Sequence, residues 1–100
     1  MTPHNIHLKI DKAGHVKPDK KLTGYQVGDT LSFTSDDGLP KAAFDPADVL
    51  SAATFEHGDQ PLTFEKRIKF VFHCSIVKPD GETVGWAKDK NPNSGGNGEP

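Results

Sequence analysis

The chain has 100 residues, 33% of them hydrophobic, and a formal net charge of -2 at pH 7. That length makes one domain with a single modest core, and the near balance of charge gives no general attraction to nucleic acid or to an anionic membrane. No apolar run approaches the roughly 20 residues of a membrane-crossing helix, so a span is excluded.

The Met-Thr-Pro-His start carries no secretory signal, so the chain as written is expected to be cytoplasmic, or periplasmic or secreted if a signal peptide has been removed. A single cysteine, Cys74, leaves no intramolecular disulfide, so stability must rest on the core. Charge is unevenly spread: residues 1–23 hold five lysines against two aspartates, and residues 29–60 hold seven acids against Lys41 alone. One edge is therefore expected to be acidic, as a solvated run of loops. Its functional alternatives are a surface for a basic partner or a calcium site, although EF-hand spacing is absent.

Taken in chain order, residues 5–10 alternate, with Ile6, Leu8 and Ile10 on one face and His7 and Lys9 on the other, which predicts a half-buried strand. A turn at Lys12-Ala13-Gly14 leads to an extended piece over 15–18, and a second covers 22–27 and stops at Gly28-Asp29. Residues 30–35 form the next strand, with Leu31 and Phe33 inward, and Asp36-Asp37-Gly38 is a turn. Asp45 as cap, Pro46 at the first helical position and Asp48 in the first turn predict a helix of one or two turns over 46–53. Residues 54–61 are expected as loop, 62–64 as strand and 65–67 as a polar corner.

The run 68–77 is the strongest strand, with Ile68, Phe70, Phe72, Cys74 and Ile76 on one face. Pro79-Asp80-Gly81 turns the chain and 83–86 returns, so 68–87 is predicted to be a β-hairpin whose Val84 and Trp86 share a face and help to close the core; a Trp86 at a sheet edge near Tyr25 or Phe55 would instead indicate an apolar binding patch. Residues 89–100 contain nothing apolar to bury and are expected to be a disordered tail behind a domain spanning 1–88. Short strands with frequent turn signals predict an all-β sandwich of about seven strands with one short helix.

Three segments resemble the small blue copper proteins of the plastocyanin type, over about residues 22–87. Val27-Gly28-Asp29-Thr30-Leu31-Ser32-Phe33 is similar to that family's valine-glycine-acid segment and following strand. Gly38-Leu39-Pro40-Lys41-Ala42-Ala43-Phe44-Asp45 is similar to its glycine-x-proline-histidine loop, and Phe70-Val71-Phe72-His73-Cys74 to the aromatic strand that carries its copper cysteine. The resemblance implies a cupredoxin-like Greek-key β-sandwich. The family's copper positions hold Lys41, Cys74, Val77 and Glu82, so only the cysteine of the ligand set remains. A type 1 copper site needs two imidazoles and a thiolate, so neither copper nor any other cofactor is expected.

A non-standard metal site on Cys74 with His57 or His73 is the alternative, with Asp45 or Glu56 as oxygen donors. Against it, His73 and Cys74 are adjacent strand residues that point to opposite faces, and His4 and His7 are separated by the same parity. Cys74 shares the phase of Phe70 and Phe72 and is expected as an inert core thiol. No phosphate loop, nucleophile elbow or zinc-protease motif is present, so no enzyme is expected. The predicted function is a binding or interaction module acting through loops 36–41 and 54–60, with Asp36, Asp37, Lys41, Glu56, His57 and Asp59 as candidate binding residues. A protein or small ligand is the expected partner of a monomeric domain. The alternatives are electron transfer or metal binding at Cys74, and a structural part in a larger assembly.

Overall fold

The computed structural model describes residues 2–87 and 94–100. Among these residues ten strands are present: β1 (Pro3–Ile10), β2 (Val16–Pro18), β3 (Leu22–Thr23), β4 (Thr30–Ser35), β5 (Leu39–Asp45), β6 (Thr54–Glu56), β7 (Leu62–Thr63), β8 (Phe70–Val77), β9 (Thr83–Gly85) and β10 (Gly95–Glu99). They form two sheets, one in the order β2-β1-β4-β7 and the other in the order β3-β10-β8-β5-β6, with β9 also paired to β8. No helix occurs among the described residues, and so none long and apolar enough to cross a membrane.

Period-two burial explains why the strands form and which way they face. β1 buries Ile6 and Leu8, β4 buries Leu31 and Phe33, and β8 buries Phe70, Phe72, Cys74 and Ile76. β1 and β4 run parallel with Ile6 opposite Phe33, so their apolar residues form one continuous inner face. The inner faces of the two sheets share one core. Phe33 of the first sheet meets Phe44, Phe55 and Phe72 of the second at ring centroid distances of 6.1, 5.4 and 5.7 Å. Tyr25 stacks on Phe64 at 4.3 Å and donates its hydroxyl to the carbonyl of Ile68.

Four expectations are corrected. The helix expected over 46–53 is absent: Ser51 N–H donates to the Thr63 carbonyl, the Ala53 carbonyl accepts from Phe44, and the Val49 carbonyl accepts from Glu65. With these backbone groups bonded to other segments, and Val49 and Leu50 drawn into the core, no i→i−4 ladder forms. The segment that resembles a proline-histidine loop is strand β5, paired with β8 from Leu39–Val77 to Asp45–Val71. Part of the expected loop 54–61 is the edge strand β6, held to β5 by the pairing of Ala42 with Phe55.

The fourth correction concerns the tail. Residues 89–93 lie outside the described residues, but β10 is an ordered strand between β3 and β8, with Gly98 opposite Phe70 and Gly96 opposite Phe72. It contributes almost no side chain of its own. Its glycines leave room for the aromatic rings beneath, since a Cβ on Gly98 would lie 2.1 Å from Cε1 of Phe70.

Candidate functional site

β8 sends Phe72, Cys74 and Ile76 inward and therefore Val71, His73, Ser75 and Val77 toward the outer face, where Ser75 is nonetheless buried. Beside it, β5 buries Pro40, Ala42 and Phe44 and turns Leu39, Lys41, Ala43 and Asp45 out. The register places Lys41 between Ser75 and Glu56, and Ala43 between His73 and Thr54. Two rows thus cross the outer face of the second sheet: Thr54, Ala43, His73, and Glu56, Lys41, Ser75.

β9 pairs with β8 so that Val84 faces Ile76 and Gly85 faces Ser75. Unbroken alternation would carry Trp86 inward beside Cys74. Gly85 prevents this, for its φ of 109° lies in a region that residues with a Cβ rarely adopt. A Cβ at that position would also come within 2.6 Å of both the Cys74 carbonyl oxygen and a Val16 methyl. Val84 keeps its place against the core, whereas the half-buried Trp86 ring lies on the outer face and stacks on His73. Their centroids are 5.1 Å apart and their planes 20° from parallel. The expectation that Trp86 closes the core is therefore corrected, and the reason is a single glycine that changes the parity of the strand.

Between the Trp86–His73 stack and the ion pair of Lys41 with Glu56, whose Nζ and Oε1 are 3.9 Å apart, lies a groove of about 180 Å³. Ala43 and Ser75 line it with short side chains, and Thr54 adds a hydroxyl. Lys41 and Glu56 are 47% and 64% exposed, so their pairing contributes only ~0–1 kcal/mol to stability and both groups stay open to exchange with a ligand. Leu39 and Val71, 46% and 40% exposed, extend the apolar part of this face.

The candidate residues read from the sequence do not converge. Lys41 and Glu56 meet as described. His57 and Asp59 belong to the exposed turn after β6, which is closed by Asp59 N–H on the Glu56 carbonyl at 3.0 Å and Glu56 N–H on Asp59 Oδ2 at 2.9 Å. Asp36 and Asp37 serve the other sheet, where Asp36 Oδ2 is 3.2 Å from His7 Nε2 and Asp37 Oδ2 accepts the Ile10 N–H at 3.3 Å.

Cys74 is fully buried and burial pushes its thiol pKa up, while His73 projects from the opposite side of the strand. At the positions that resemble copper ligands, Lys41 points outward, Cys74 inward, Val77 ends β8, and Glu82 lies in the hairpin turn, where its carbonyl accepts the Lys78 N–H at 2.8 Å. Among the described residues, no three His, Cys, Asp or Glu side chains gather where they would hold a metal ion.

Two polar clusters were not foreseen. Asp29 is buried with its carboxylate accepting from Thr2 N–H at 2.9 Å and Gln26 N–H at 3.0 Å, and with His4 Nε2 at 3.0 Å. The His4 hydrogen bond and those backbone donors hold its carboxyl down at about 2. On the outer face of the first sheet, Asn5 donates to Ser32, Thr34 donates to Asn5, and His7 bridges Thr34 and Asp36. The sequence signal for the outward Trp86 was present in the Gly85 that precedes it. Compared with protein-family models, curated proteins and solved structures, the chain matches none.

Proposed function

We propose that the chain is a cupredoxin-like β-sandwich without a copper centre that acts as a non-catalytic binding module, and that it binds on the outer face of the second sheet around Trp86. Support for the architecture comes from the strand order and from a chain that passes between the sheets at β2 to β3, β3 to β4, β4 to β5, β6 to β7 and β7 to β8, as the connections of a sandwich do. Support for the function comes chiefly from one observation: a half-exposed tryptophan, stacked on His73, forms the wall of a groove that also presents Lys41, Glu56 and Thr54. A large ring already fixed against a neighbour loses little freedom on binding, and such residues carry much of the energy of recognition. The binding surface is therefore the sheet face, which takes in Lys41 and Glu56 from the loops expected to bind and leaves Asp36 and Asp37 aside.

The metal or electron-transfer alternative gains no support from Cys74, His57 and His73, which lie respectively in the core, in an exposed turn and on the outer face. Screening the ¹⁵N-labelled protein against a library of small polar ligands and short peptides tests the binding face. Saturable amide shifts are expected to centre on Lys41, Thr54, Glu56, His73, Ser75 and Trp86. Binding that maps instead to the larger cavity of about 660 Å³ beside Lys20, Lys21 and Glu99 would place the function elsewhere.

A further inference from the structure

The Trp86 groove has a size, a charge balance and a hydrogen-bonding pattern that together restrict its occupant. We infer that it is a saccharide subsite, taking the apolar face of one neutral sugar ring against Trp86 while the ring hydroxyls bond to Lys41, Glu56 and Thr54. This rests on the binding-face reading above and narrows it to a ligand class.

Size comes first. A volume of about 180 Å³ falls below the ~300–1,000 Å³ of sites for drug-sized ligands, so it suits a single ring. Ala43 and Ser75 keep the sheet low between two taller walls, which leaves space for that ring.

Charge comes second. Among the described residues, the groove lining carries one lysine, Lys41, and one carboxylate, Glu56, 3.9 Å apart. A phosphate or carboxylate ligand would meet the Glu56 charge, and an ammonium ligand would meet Lys41. A neutral ligand meets neither penalty.

Hydrogen bonding comes third. An ammonium only donates and a carboxylate only accepts, whereas each hydroxyl does both. Neighbouring hydroxyls on one ring can therefore satisfy Lys41 and Glu56 together, with the Thr54 hydroxyl adding either role. The Trp86–His73 stack that shares this lining is aromatic, which suits a molecule polar at its rim and covered with C–H bonds on its face. Sugars have that division and flat heteroaromatic ligands do not. By contrast, the cavity of about 660 Å³ beside Lys20 and Lys21 is lined by no aromatic side chain.

Trp86 is the sole tryptophan, so its emission reads the groove without a label. The protein is titrated to tens of millimolar with methyl glycosides and with cello-, xylo- and chito-oligosaccharides, beside glucuronate, glucosamine and a proline-rich peptide. A neutral sugar is expected to change the emission saturably, to protect Trp86 from acrylamide quenching, and to bind more tightly than the two charged monosaccharides. Glu56→Ala and Lys41→Ala are expected to weaken it about five- to tenfold each, as losing one hydrogen bond does, with the melting temperature within a few degrees of the parent's. Silence with every neutral sugar, tighter binding of a charged one, or unaltered affinity in both variants would overturn the saccharide assignment. If the peptide then shifts Trp86, the binding face survives without the sugar. If the peptide and the ligand screen are silent too, both readings fall.

Discussion

Asp29 is one of seven acids in a stretch that reads as solvated, yet it alone among them is buried and carries its charge inside. Composition registers the charge and not its partners: Gln26 lies in the same local turn, but His4 and Thr2 reach it only when β1 lies beside β4. Its carboxyl is held at about 2 against an ordinary 3.8, so the ionised form stabilises the fold fully above that ordinary value and loses its effect as pH falls through about 2. Urea unfolding followed from pH 6 to pH 2 is expected to show stability falling below about pH 4, with a shallower fall in Asp29→Asn. Equal slopes would remove Asp29 from the acid response. Cys74, in contrast, was legible from phase alone, since a thiol in step with Phe70 and Phe72 shares their burial.

Elements with side chains that alternate were legible, and those defined by missing side chains were not. β4 occupies the residues that its alternation predicts, and β8 and β9 form the predicted hairpin, although Ile68 lies outside β8 and is 39% exposed. In β5 the alternation of Pro40, Ala42 and Phe44 is equally present, and it prevails over the segment's resemblance to a proline-histidine loop. β10 has no such pattern: Gly96 and Gly98 are glycine because the rings of Phe72 and Phe70 occupy the space where a Cβ would stand. An apparent linker composition is here a close-packing requirement. Gly98→Ala is therefore expected to cost ~1–3 kcal/mol in chemical denaturation, as overpacking does. Asn97→Ala, on the exposed face of the same strand, is expected to stay within ~0.5 kcal/mol. Equal effects would mean that β10 does not lie on those rings.

At the scale of the molecule, period-two alternation was enough to predict an all-β chain, but not which strands are neighbours. The parallel pairs β1–β4 and β3–β10 join segments far apart in sequence, and no local motif announces them. The groove inherits that difficulty, since its walls come from β5, β6, β8 and the residue after β9. Phase assigned Lys41, Glu56 and His73 to strands or loops without bringing them together. It also placed Trp86 in the core, because the counting of alternate residues stops being valid at Gly85. The outward Trp86 is the feature on which the binding face depends, and the position of its ring in solution tests it most directly. Nuclear Overhauser contacts between the Trp86 indole and the His73 imidazole are predicted, with His73 ring protons shifted upfield and relieved of that shift in Trp86→Ala. Contacts from the indole to Val16, Phe72 or Cys74 would put the ring in the core and contradict the binding face.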